Sequence, residues 1–237
     1  DGNAEQENMD LIEEIEPIDD RELPQECNES KKKEKMLVKP IVLEPEEIML
    51  EKTRCLSEEQ MFVLSNFVDH AMRLVVKQHN CKVKLCPPQY IIHGGGGTGK
   101  TFLINRISEW MEKILRKPGD DPSLPKVLKL AFTGMAAHLI NGTTIHTGLG
   151  FQFGCRKYLP LRDAKLEKYR KMFEELELII MDEFSMISSD TLYDINRRLQ
   201  EIFISKDLFG GRSVMLVGDI LQLPPVMGRP VFSSPFS

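Results

Sequence analysis

Apolar residues fall on two periods along this chain, and the two alternate. Met61, Leu64, Val68, Ala71, Met72 and Val75 recur at helical spacing, one face of an amphipathic helix. Ser57 followed by Gln60 fits a capping box at its start. Tyr90, Ile91 and Ile92 form a short apolar run, long enough for one buried strand. Phe102, Leu103, Ile107, Trp110, Met111 and Ile114 return to the helical period and predict a helix from Gly99 to about Lys117. Val127–Phe132 reads as a second strand. Met135–Ile140 reads as a short helix stopped by Asn141-Gly142. Thr143–Phe153 is loop-like, and Leu161–Phe173 can be helical. Leu176–Met181 is the strongest buried-strand signal, closed by Asp182-Glu183. Asp190–Phe203 is helical, with Leu192, Ile195, Leu199 and Ile202 on one side, and Ser213–Val217 is a last strand. Strands alternating with helices predict an α/β fold with a parallel sheet and a site at the carboxyl ends of its strands.

The charge pattern divides the chain. Asp1–Ser30 holds twelve acidic residues against Arg21 alone, a charge of −11, so the remainder carries +6 of the total −5. Residues 1–36, acidic and then basic at Lys31, Lys32, Lys33 and Lys35, read as a disordered extension. A solvated linker is the plainer account of it and an interaction tail the sharper one. Residues 37–55, broken by Pro40 and Pro45, read as a linker, and 56–237 as one globular domain. The mildly basic domain permits a polyanionic partner. Five cysteines at irregular spacing (Cys27, Cys55, Cys81, Cys86, Cys155) complete no zinc pattern and suit a reducing compartment. No apolar run approaches membrane-spanning length. The chain begins at Asp1 and its acidic start is unlike a mitochondrial presequence. The nucleus is the expected compartment, with the mitochondrion as the alternative.

Chemistry enters at Gly94, Gly95, Gly96, Gly97, Thr98, Gly99, Lys100 and Thr101, which fit G-x-x-x-x-G-K-[ST] between a strand and a helix. A triphosphate must be wrapped by backbone N–H groups, and glycines allow the close approach. The helix N-terminus adds its partial positive charge. Lys100 would reach the outer phosphates of ATP, and the Thr101 hydroxyl would hold Mg²⁺. Asp182 and Glu183 follow a buried strand, as nucleotide hydrolysis requires: one carboxylate for the metal and one to deprotonate water. Their place in the strand predicts side chains on opposite sides of the chain. Gln222 could sense the outer phosphate or simply bond local backbone, and Asp219 could equally cap local backbone or take part in the chemistry.

The segments GGGGTGKT, AFTGMAAHLINGTTIHT, IIMDEFSM and GDILQLPPV, in this order and spacing, resemble the Pif-type DNA helicases. These are RecD-like motors of helicase superfamily one that move 5′ to 3′ on single strands. The likeness runs from about Leu56 to Phe232 and is closest to divergent helicases of eukaryotic genomes and rolling-circle transposons. It implies a P-loop NTPase, RecA-like, with its parallel sheet flanked by helices. ATP and Mg²⁺ are then the implied cofactors, and single-stranded DNA the partner. DNA repair, recombination and telomere maintenance are the implied settings. Gln60 matches the glutamine that reads adenine, in competition with its capping role. Thr133, Gly134 and Ala136 match a motif that grips the DNA backbone, and Thr144, Ile145 and His146 a second one. Asp182 and Glu183 match the acidic motif, Glu183 as general base, and Gln222 lies in the motif after it.

Phe132 stands where the family usually has proline. It could stack on a base, but ending a buried strand it fits the core better. Phe184 replaces a smaller apolar residue. Family members continue with a second RecA-like domain, whose arginine completes the ATP site. The chain is therefore expected to be the first of two motor domains, nearly inert alone. A non-motor ATP- and DNA-binding module, or a transposon remnant, is the alternative. A small-molecule kinase would leave the polar motifs after the second strand and the QLPP segment unexplained.

Overall fold

The computed structural model describes residues 41–79, 85–152 and 158–232, so the acidic extension expected over 1–36 lies outside the described residues. Helices α1 (Glu46–Arg54) and α2 (Glu58–His79) precede strand β1 (Gln89–His93) and helix α3 (Lys100–Leu115). Then come β2 (Val127–Ala131), α4 (Gly134–Leu139), β3 (Thr143–Thr144) and α5 (Ile145–Leu149). Helix α6 (Asp163–Met172), β4 (Leu178–Asp182), α7 (Ser189–Phe203) and β5 (Ser213–Gly218) complete the series. The sheet order is β1-β5-β4-β2-β3, and every pairing is parallel. Strand β5 thus lies between the strand entering the glycine loop and the strand ending in Asp182.

Alternation along the strands builds two cores, one on each face of the sheet. Leu178 and Ile180 of β4 and Met215 and Val217 of β5 join Leu64, Phe67, Leu103, Ile107 and Met111 from α2 and α3. Ile179 and Met181, with Val214 and Leu216, join Tyr169, Phe173, Ile195, Leu199 and Ile202 from α6 and α7. The central strands are buried throughout, as parallel strands covered on both faces must be. No helix among the described residues is long and apolar enough to cross a membrane.

Several expectations are corrected. Tyr90–Ile92 is a strand, but not a buried one: β1 is an edge strand, and Ile91 is 54% exposed on the face the second core does not reach. Thr143–Phe153 is not simply loop, since Thr143 and Thr144 pair with Leu130 and Ala131 and a five-residue helix follows. Pro45 does not break the segment before Arg54; it occupies the N-cap of α1, where its missing N–H costs no helical bond. On α2, Met61 and Met72 face solvent, and Phe67 fills the core position instead. Phe132 packs partly buried against the second core, in line with a core role.

Candidate active site

The parallel topology brings the ends of all five strands to one edge, and the glycine loop, Thr133, Thr144, Asp182 and Asp219 all lie on or just after that edge. The loop leaves β1 at Gly94. Gly97 and Gly99 have φ of 76° and 81°, and a Cβ on Gly94 would sit 2.7 Å from Thr98 Oγ1. These positions demand glycine for backbone shape and for closeness. Helix α3 begins at once, capped by Gly99 with no side-chain hydrogen bond, so its first N–H groups are left for an anion. Thr101 is exposed in that first turn. Lys100 Nζ donates to the carbonyls of Gly94 at 2.7 Å and Gly95 at 2.8 Å. The ammonium is thus held over the loop by neutral acceptors that phosphate oxygens would better replace. The residues present therefore fit a nucleoside triphosphate.

Gln60 divides its amide. Oε1 accepts from the Ser57 N–H at 3.1 Å while the Gln60 N–H donates to Ser57 Oγ at 3.3 Å, which completes the capping box. Nε2 donates to the Thr98 carbonyl at 3.0 Å, tying α2 to the glycine loop. The two jobs set against each other in the sequence are shared by the two ends of one side chain.

Asp182 ends β4, 8% exposed, and Oδ1 accepts the Glu183 N–H at 2.9 Å. Burial pushes its carboxyl above the usual range, opposed chiefly by the hydrogen bond from the Glu183 N–H and less by the Lys100 charge. Glu183 has φ 56° and ψ 40°, so the chain leaves the pleat there. Strand alternation therefore does not separate the two acids, as the sequence reading expected; a left-handed turn does. Phe184 is 1% exposed and packs edge-to-face on Phe232 at 5.0 Å. A Cβ on Gly218 would lie 2.9 Å from Phe184 Cδ1, so the larger ring is matched by glycine at the end of β5.

Thr133, Glu183, Met186, Leu221, Gln222, Leu223 and Pro224 line one cleft of about 460 Å³. It joins a residue expected to hold DNA, the expected base and the expected sensor. Thr133 caps α4, Oγ1 accepting the Ala136 N–H at 3.2 Å. Gly134 is exposed, but Ala136 is 7% exposed and its N–H is spent on that cap, so it is packing that Ala136 serves. Thr144 caps α5 and donates to Thr147 Oγ1 at 3.0 Å, which leaves the exposed Thr147 hydroxyl to face solvent. Ile145 is buried. His146 lies apart from the cleft, in a pocket of about 100 Å³ beside Phe151 and Arg198, where burial pushes its imidazole below the usual range. Among the described residues no three His, Cys, Asp or Glu side chains gather into a metal-holding group.

The model of a family described as PIF1-like helicase matches residues 55–233. The chain belongs to the PIF1-like helicase family. The ATP-dependent DNA helicase Pif1 of Psychrobacter sp. is 32% identical over 140 residues, 57% of this chain and 20% of that protein. The ATP-dependent DNA helicase PIF1 of Candida albicans is 31% identical over 191 residues, 76% of this chain and 19% of that protein. The chain thus spans about a fifth of the length of these curated relatives. Unliganded Pif1 from Bacteroides sp. superposes with a TM-score of 0.51 at 28% identity, over 73% of this chain and 33% of that one. The Pif1 helicase of Candida albicans gives 0.52 at 26% identity, over 76% and 36%. The fold is that of a P-loop NTPase, and the PIF1-like motifs are the segments that reach the carboxyl edge of its sheet.

Proposed function

We propose that this chain is the ATP-hydrolysing first motor domain of a DNA helicase that steps 5′ to 3′ along single-stranded DNA. The observation that carries the reading is the cleft shared by Thr133, Glu183 and Gln222, at the edge of the sheet where the glycine loop and Asp182 also lie. It joins residues suited to the nucleotide and to the strand in one wall, as coupling between them requires.

Lys100 would exchange two loop carbonyls for phosphate oxygens. Thr101 and Asp182 are the residues suited to Mg²⁺, which when bound neutralises phosphate charge. Glu183 would take the proton from the attacking water, and Gln222, on the facing loop, would orient that water. Gln60, with Oε1 already committed to Ser57, keeps one Nε2 hydrogen for adenine. Thr133 accepts with its lone pair and so retains its hydroxyl hydrogen for a DNA phosphate oxygen; Gly134 offers exposed backbone beside it. His146, in the pocket beside Phe151 and Arg198, is the further residue suited to the strand.

Two substitutions separate binding from chemistry. Lys100→Ala removes a charge-assisted contact worth about 1.5–3 kcal/mol, so ATP affinity should fall roughly 10- to 150-fold by calorimetry. Glu183→Gln should leave that affinity within about twofold, yet lower DNA-stimulated turnover of the whole protein by about 10²–10⁴-fold. Unchanged affinity in the first, or parental turnover in the second, removes the assignment.

A further inference from the structure

The strand that enters the phosphate loop and the strand that enters the Gln222 loop are parallel neighbours, His93 opposite Gly218. One more ladder bond, from the Gly94 N–H to the Gly218 carbonyl at 3.1 Å, carries the pairing past His93. Beyond it the two backbones part and side chains replace the ladder. His93 Nδ1 accepts the Ile220 N–H at 3.3 Å, which assigns Nδ1 as the unprotonated nitrogen. Asp219 is 7% exposed, and Oδ1 accepts the Leu221 N–H at 3.0 Å. The same oxygen lies 3.8 Å from His93 Nδ1. Its partner Oδ2 is 4.0 Å from where a Cβ on Gly95 would stand, against the second glycine of the phosphate loop. The Gln222 N–H closes the turn on the Asp219 carbonyl at 3.0 Å.

We propose that His93 is a positioning residue that couples the phosphate loop to the Gln222 loop, so that nucleotide in the one sets the shape of the cleft wall formed by the other. His93 immediately precedes Gly94, so a shift at the loop entrance moves the acceptor that holds Ile220. At 3.3 Å that bond is long, and a few tenths of an ångström separate it from no bond at all. Ile220 and Leu221 are the first two donors beyond Asp219, and each is fixed by a side chain lying against the nucleotide side. Core packing does not account for His93, whose side chain is 42% exposed. The inference rests on the reading of this domain as one that binds both ATP and single-stranded DNA.

The test uses the 237-residue chain and a fluorescent oligothymidylate, titrated with and without ATPγS–Mg²⁺. Coupled sites typically change each other's affinity about 5- to 150-fold. In His93→Asn the side-chain Oδ1 stands where Nδ1 stood and can accept the Ile220 N–H. In His93→Gln the amide reaches the place of Nε2 and leaves Ile220 unheld. Both are polar replacements at a half-exposed position and keep the fold. The expected result is a coupling factor within about twofold of the parent in His93→Asn and close to one in His93→Gln, with nucleotide affinity little changed in either. Equal coupling in the two variants overturns the inference. So does a parent chain whose oligothymidylate affinity ignores nucleotide. A parent that binds no oligothymidylate under either condition removes the proposed function itself, and this inference with it.

Discussion

Glu183 occupies a backbone region that glutamate rarely adopts, with φ 56° and ψ 40°. For a residue with a Cβ this costs about 1–2 kcal/mol, and glycine would avoid it while losing about 0.5–1 kcal/mol to its freer unfolded chain. Glu183→Gly is therefore expected to be as stable as the parent or more so by up to about 1.5 kcal/mol, although turnover is lost. Strain retained at a group proposed as the base is what a stability–activity trade-off looks like. Urea unfolding at constant slope measures it, and a loss above 1 kcal/mol would show that the glutamate side chain holds the fold. The glycine loop, Lys100 and the acid pair were legible because their chemistry dictates residue types at fixed spacing. His93 was not, because its partner is a backbone N–H 127 residues away that no local pattern announces. Nor was the division of Gln60 between Ser57 and Thr98, since the loop that receives Nε2 is 38 residues downstream.

At the level of elements, the helices with a sustained period were found to within a few residues. The failures have physical causes. Helix α5 has five residues, too few to show a period. Gly148 is there for packing: a Cβ would meet Leu130 Cδ2 at 2.5 Å and Thr143 Cγ2 at 2.8 Å. Strand β1 was read as buried because apolarity alone cannot reveal which strand forms an edge. The end of α7 permits a test of the elements free of function. Ile204, its C-cap, has φ 52° and ψ 42° and is 77% exposed. A β-branched residue is poorly suited to that region, and little apolar burial is at stake. Ile204→Gly supplies the usual helix-ending residue and should stabilise the domain by about 0.5–1 kcal/mol, or roughly 1–4 °C in thermal midpoint. A lowered midpoint would show that the exposed isoleucine makes a contact worth more than the strain it brings.

For the whole molecule the decisive quantity is where charge lies. Taken together the chain is −5, which argues against a polyanionic partner; without Asp1–Ser30 it is +6, which argues for one. Long-range attraction to a nucleic acid would depend on that sum as well as on any direct contacts, such as those proposed at Thr133 and His146. Deleting residues 1–30 reverses the sign and should tighten oligothymidylate binding several-fold at about 50 mM salt, an expectation set by field strength rather than by any contact. Raising salt should erase most of the difference, because screening acts first on charges that do not touch the strand. The slope of log affinity against log salt, about −0.7 for each phosphate neutralised on a single strand, then reports the direct contacts. Contacts confined to the domain leave that slope nearly the same in both forms. If the deletion instead changes the slope and leaves the low-salt affinity alone, residues 1–30 act at the phosphates themselves and the charge argument fails.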